Sequence, residues 1–126
     1  FDVVSDDGAY LGGIICPGIQ ISSEALFSRA AKLPKVAFSK PAQVIGRNTI
    51  SSIQSGLVYG YTSMVEGLIR RIRDEMNSVC KVVATGGLAA QLAENTEVVD
   101  HIDPMLTLNG LYTIHKRNMV QGRSDL

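Results

Sequence analysis

Three features of this 126-residue sequence predict an α/β fold. A short apolar strand, Lys81-Val82-Val83-Ala84-Thr85, runs into the double glycine Gly86-Gly87 and then into the helix formers Leu88-Ala89-Ala90. A long stretch after Asn48 repeats apolar residues at helical spacing. The order of segments, strand hairpin, helix, helix, strand, helix, strand, helix, alternates as α/β chains do.

Taken in order, residues 1–5 and 9–16 read as two strands joined by Asp6-Asp7-Gly8, whose Asp-Gly pair is a strong hairpin signal. Gly12 and Gly13 inside the second strand mark a bulge, a bend at a sheet edge or a close backbone approach. Pro17-Gly18 ends that strand. Ser22 or Ser23 is the expected cap of a helix reaching Leu33, with Glu24 in its first turn. Leu26, Phe27, Ala30, Ala31 and Leu33 form its apolar face, and Pro34 stops it. The loop that follows carries Pro41 and Gly46 and a short extended piece at 36–38.

Asn48 is the expected cap of the longest helix, Thr49 to about Met76. Ile50, Ile53, Leu57, Tyr61, Met64, Leu68 and Ile72 recur at steps of three and four and predict a core-facing stripe. Ser52, Gly56, Gly60, Ser63 and Gly67 make a second stripe of small residues, about a third of a turn round. A glycine inside a helix costs about 1 kcal/mol relative to alanine. The stripe therefore implies another backbone close by, from this chain or from a partner subunit. Arg70, Arg71 and Arg73 close the helix where cations suit its dipole, and read as a solvated end. Residues 97–100 read as a further short strand. Asp103-Pro104 is the expected cap of a last helix carrying Leu106, Leu108, Leu111 and Ile114, and residues 121–126 read as a frayed tail.

Composition narrows the function classes. A hydrophobic fraction of 45% with 19% charged residues fits a packed globular core and not a disordered segment. A formal net charge of zero argues against non-specific nucleic-acid binding, and no apolar run reaches the length of a bilayer span. Cys16 and Cys80 lie far apart without metal-ligand spacing; one disulfide is arithmetically possible, and the favoured reading is two buried free thiols of a reducing compartment, which makes the cytoplasm the expected location. Phe1 already falls in what reads as mid-strand, so the chain is expected to be cut at its front.

Catalytic constellations are scarce. The two histidines are His101 and His115, and Asp100-His101-Ile102-Asp103 matches no standard metal-ligand set and reads as an exposed loop. Nucleophile-elbow, phosphate-cradling Gly-x-x-x-x-Gly-Lys and zincin motifs are absent. Between Glu24 and Glu66 there is no acid, whereas Arg29, Lys32, Lys35, Lys40 and Arg47 are basic. That region either attracts an anion such as a carboxylate or phosphate, or is an ordinary lysine-rich surface. Arg47-Asn48-Thr49 places a cation, an amide and a hydroxyl at a helix N-terminus, and Thr85-Gly86-Gly87 stands where a buried strand meets a helix. Both positions suit an anion or nucleotide, and both serve equally as packing turns.

Several stretches together resemble the C-terminal half of a type III pantothenate kinase, an enzyme of coenzyme A synthesis. They are Gly12-Gly13-Ile14-Ile15-Cys16-Pro17-Gly18, Ser23-Glu24-Ala25-Leu26-Phe27 through Leu33-Pro34, Ile45-Gly46-Arg47-Asn48-Thr49, Gln54-Ser55-Gly56 through Tyr59-Gly60-Tyr61, Ala84-Thr85-Gly86-Gly87, and Asp103-Pro104 with Leu106-Thr107-Leu108. The resemblance runs in order to about Asn118. It implies a ribonuclease-H-like domain of the actin, hexokinase and Hsp70 ATPase superfamily, truncated at its first strand, over residues 1–118, with 119–126 as tail.

It further implies ATP, a divalent cation such as magnesium and a monovalent cation, potassium or ammonium, with pantothenate as substrate and a homodimer as the assembly. Thr85, Gly86 and Gly87 match the adenosine motif, and Thr49 a pantothenate-contacting threonine. Gly12, Gly13, Pro17 and Gly18 match a glycine-rich interface stretch, to which Gly56 and Gly60 of the small-residue stripe are added as expected interface positions. Both phosphate motifs, the cation aspartate and the segment bearing the catalytic aspartate are absent, so no catalytic or metal-ligating residue is expected here. The resemblance thus implies a kinase portion that is inactive alone. A non-catalytic nucleotide-binding or dimerisation module is the alternative.

Overall fold

The structure, a computed structural model, describes residues 1–29 and 33–121. Ala30 and Ala31 of the first expected helix, Lys32 of the basic region and residues 122–126 of the expected tail lie outside the described residues. The chain divides into two compact units, residues 1–57 and 58–126.

In the first unit, strands β1 (Asp2–Val4) and β2 (Tyr10–Gly13) form an antiparallel hairpin. Its turn follows the Asp-Gly signal. Gly8 takes φ +86°, its N–H donates to the Ser5 carbonyl at 3.0 Å, and the Ser5 N–H donates to Ala9 at 2.8 Å. Val3 faces Gly12 while Val4 faces Tyr10, so Leu11 is an extra residue in β2. Gly12, at φ +127°, absorbs that bulge. A Cβ on Gly13 would collide with the Phe1 carbonyl oxygen, so both glycines have a reason within the hairpin itself.

Helix α1 (Ile19–Arg29) starts earlier than Ser22 or Ser23. The Ser22 N–H donates to the Gly18 carbonyl at 3.0 Å, an i to i−4 bond that draws Ser22 and Ser23 into the helix. The 36–38 segment forms no strand and is held instead by Gln54, whose amide donates to Ser39 Oγ at 2.7 Å and to the Ala37 carbonyl at 3.5 Å.

Helix α2 (Thr49–Met76) has the bounds its sequence predicts and runs from the first unit into the second. It supplies most of the buried apolar side chains among the described residues, Ile53, Leu57, Val58, Val65 and Ile69, with Ala89 and Pro41 the others. Beyond Leu57 the buried face is not the predicted one. Val58, Thr62, Val65 and Ile69 are buried, each one residue on from Leu57, Tyr61, Met64 and Leu68, and the last three of these are half-buried. Ile50 stays 51% exposed. The polar members of the buried face are paired, Thr62 Oγ1 donating to the Val58 carbonyl at 2.8 Å and Ser55 Oγ to the Val44 carbonyl.

In the second unit, strand β3 (Val83–Ala84), helix α3 (Ala89–Ala93) and strand β4 (His101–Ile102) form a small parallel β-α-β unit, with Val83 opposite His101 and Ala84 opposite Ile102. The strand expected at 97–100 lies at 101–102 instead, and residues 98–100 carry no regular structure. Helix α4 (Leu106–Gln121) follows and extends into the stretch read as tail. Asp103 starts it, its Oδ1 accepting the Met105 N–H at 2.8 Å. Leu106, Leu108, Leu111 and Ile114 are all exposed. No helix among the described residues is long and apolar enough to cross a membrane.

Two glycine substitutions separate the reasons for a missing side chain. A Cβ on Gly46 would run into the backbone of Ser52, whereas one on Gly56 meets nothing within 4 Å. Gly46→Ala should destabilise the fold by about 1–3 kcal/mol through overpacking. Gly56→Ala should stabilise α2 by about 0.5–1 kcal/mol. Urea denaturation midpoints of the two variants check both signs.

Candidate functional sites

The first candidate lies at the start of α2, in the first unit. Asn48 caps the helix, its Oδ1 accepting the Ser51 N–H at 2.9 Å. Ser51 answers in the reverse direction, its Oγ accepting the N–H of Asn48 at 3.2 Å and of Arg47 at 3.1 Å. This reciprocal pair is a capping box with serine in the acceptor role at N3. It fixes the path of Arg47-Asn48-Thr49, and Gly46 lets that path cross closely over Ser52. Thr49 is left exposed at the first helical position, its hydroxyl beside the positive end of a 28-residue helix. Arg29, Lys35, Lys40 and Arg47 are exposed as well, and no ion pair engages them among the described residues.

The second candidate lies in the second unit, where β3 gives way to Thr85-Gly86-Gly87. All three residues are exposed. Gly86 holds φ +100°, which only glycine adopts without strain, and open space surrounds the position where its Cβ would stand, as it does at Gly87. The Gly86 carbonyl accepts the Ala89 N–H at 3.1 Å. A planar group can therefore approach this backbone closely. Among the described residues no three His, Cys, Asp or Glu side chains come together to hold a metal ion.

The remaining predicted positions fall as follows. Gly12 and Gly13 sit at the bulge and strand end of the hairpin, and Pro17 and Gly18 lead into α1. Gly56 and Gly60 are exposed on α2 with nothing within 4 Å of a Cβ, and the same space is open at Gly67. The close backbone implied by the small-residue stripe is therefore not supplied by the described part of this chain. Cys16 and Cys80 are free and half-buried, not buried.

Asp100 is exposed and outside regular structure, as read, and there it accepts the Val82 N–H at 2.8 Å and lies 3.4 Å from Lys81 Nζ and 3.7 Å from Arg73 Nη2. The solvated helix end needs correction at Arg73, which is half-buried and donates through Nη2 to the Cys80 carbonyl at 3.0 Å, whereas Arg70 and Arg71 are exposed. A related link joins Thr96 Oγ1 to Glu66 at 2.7 Å. No local spacing signals these contacts, whose partners lie 7, 18 and 30 residues apart for Arg73–Cys80, Val82–Asp100 and Thr96–Glu66. The Val82 N–H, then Lys81 and Arg73, hold the Asp100 carboxyl below its ordinary value of 3.8. Asp7 is lowered too, chiefly by the Ser5 hydroxyl.

Comparison with known proteins places this architecture. A solved structure from Campylobacter jejuni, of a conserved protein assigned to the Baf family of transcriptional activators, superposes with a TM-score of 0.63 at 22% identity. The match covers 93% of this chain and 52% of that one, so the chain spans about half the length of its structural neighbour and shares the fold of that half. The family profile of type III pantothenate kinases matches residues 1–71, more than half of the sequence. The chain belongs to the type III pantothenate kinase family.

The Asp100 cluster has a pH signature. With its folded value lowered, Asp100 contributes stability that is complete above the unfolded value and is lost as pH falls through the folded one. Urea midpoints should therefore drop on acidification from about pH 5 to about pH 3. Asp100→Asn should lower the midpoint at neutral pH and make the acid drop shallower, leaving the share due to Asp7.

Proposed function

We propose that this chain is the C-terminal portion of a pantothenate kinase, a ribonuclease-H-like domain of the actin, hexokinase and Hsp70 superfamily. The complete enzyme transfers the γ-phosphoryl group of ATP to the terminal hydroxyl of pantothenate in the first step of coenzyme A synthesis. The single observation that carries the reading is membership of the type III pantothenate kinase family. The open, positive-φ backbone at Gly86 supports it.

On this reading the backbone of Thr85, Gly86 and Gly87 receives the adenosine end of ATP. Thr49 offers its hydroxyl to pantothenate, and the cationic stretch around Arg47 draws anionic substrates to the first unit. ATP brings the transferable phosphoryl group, and a magnesium ion with a potassium or ammonium ion offsets its charge. On this reading the general base and the cation ligands belong to the family's N-terminal half. The working enzyme is a cytoplasmic homodimer. A non-catalytic nucleotide-binding or dimerisation module is the second reading. The absence of the phosphate motifs from the sequence favours it for the 126 residues taken alone.

Steady-state kinetics test the reading. Residues 1–126 alone should release no ADP from ATP with pantothenate, and a chain carrying the family's N-terminal half should release it. In that longer chain Thr49→Ala should raise the KM for pantothenate by about tenfold, the worth of one lost hydrogen bond, and leave that for ATP little changed. An unaltered pantothenate KM rules out the role of Thr49.

The dimer has its own test. Gly60→Leu should leave the helical circular dichroism intact while light scattering shows the mass falling from dimer to monomer. An unchanged dimer mass removes α2 from the interface.

A further inference from the structure

We propose that Asp100, assisted by Arg73, is a positioning residue for the Thr85–Gly87 turn, and that adenosine-nucleotide affinity at that turn depends on it. The nucleotide part of this inference rests on the function proposed above. The positioning part rests on geometry alone.

β3 and β4 pair over two residues each, far too short a ladder to hold its own place. What fixes β3 lies around Val82, three residues before Thr85. The Val82 carbonyl accepts the N–H of Asp100 at 2.9 Å and of His101 at 3.1 Å. The Asp100 carboxylate returns the contact, accepting the Val82 N–H at 2.8 Å. Val82 is thus gripped through both its donor and its acceptor by the residues that open β4. Closer to the turn, the Ala84 carbonyl accepts the Asp103 N–H at 2.9 Å.

Arg73 anchors this grip to α2. Its Nη2 donates to the Cys80 carbonyl at 3.0 Å and stands 3.7 Å from the Asp100 carboxylate. Its Nε is buried without a partner. That desolvation makes the guanidinium costly to hold here unless its other nitrogens are well engaged. Lys81 adds a contact at 3.4 Å from a side chain that is 84% exposed, where an ion pair is worth little. One carboxylate therefore draws together the end of α2, the entry to β3 and the entry to β4.

The consequence falls on Gly86. A glycine with open space around it has no side chain to limit its own motion. Fixing it at φ +100° only when a ligand arrives would subtract ordering entropy from the binding. A strand end that is already held removes that cost, as a supporting shell does for any binding group.

The test compares the unaltered chain with Asp100→Asn and Arg73→Gln in two measurements. Amide hydrogen exchange without ligand should quicken about tenfold at residues 82–88 in both variants. The amides of Val58 to Ile69 should stay protected, which shows that the fold is intact. Calorimetric titration with ADP should show affinity weakened by about tenfold in both. Unchanged exchange at 82–88 overturns the positioning role. Quickened exchange with unchanged ADP affinity overturns its link to the nucleotide. If the unaltered chain binds no ADP, the adenosine assignment fails and the exchange measurement alone decides the positioning role. If Asp100→Asn loses protection throughout, Arg73→Gln decides by the same readings.

Discussion

Burial of one face of α2 is the constraint on which the rest of this chain depends. Ile53, Leu57, Val58, Val65 and Ile69 are buried, and outside α2 only Pro41 and Ala89 join them among the described apolar residues. Each such aliphatic side chain contributes about 1.5–3 kcal/mol on leaving water, so the helix cannot rotate about its axis without losing most of the core. Its start is equally fixed. The Asn48–Ser51 capping box sets where the first turn begins, and Gly46 sets how closely the preceding loop can lie on it. Gln54 and Ser55 then hold residues 37–44 against the same helix through polar contacts. Thr49 inherits its position from this helix by standing on its first turn.

α4 is the counterexample. It is a 16-residue helix whose apolar side chains, among them Leu108, Leu111, Tyr112 and Met119, remain more than half exposed. A helix of that length is marginal in water without tertiary packing. It holds local bonds, such as the Asp103 cap and the Lys116 ammonium 4.7 Å over the Tyr112 ring. Nothing in the described chain covers its apolar residues.

What the sequence made legible follows from the range of the interactions concerned. The bounds of α2 and the Asp6-Asp7-Gly8 turn follow from local signals and stand as read. Gly12, open in sequence between a bulge, a close approach and a bend, is a bulge, and the strand before the glycine turn, read as buried, leaves Val83 48% exposed. The buried face of α2 is less local. Two apolar stripes compete there, and the larger residues Tyr61, Met64 and Leu68 lose to Val58, Val65 and Ile69, with Ser55 and Thr62 tolerated because each hydroxyl finds a carbonyl. That choice depends on what packs against the helix, which periodicity cannot see. Asp100 is the extreme case. Its main partner is 18 residues away, and a carboxylate that binds a backbone N–H looks in sequence like any exposed acid. The glycines of the turn after β3 were readable from local signals, and the long-range contacts of Asp100 were not.

The glycines carry this distinction furthest, because the structure divides them by cause. Gly13 and Gly46 are required by backbone atoms of this chain that leave no room for a methyl group. Gly12 and Gly86 are required by a positive φ. Gly56, Gly60 and Gly67 meet neither condition. They lie within a regular helix, with open space where a side chain would stand, and together they forgo roughly 2–3 kcal/mol of helix propensity relative to alanine. No contact among the described residues offsets that loss.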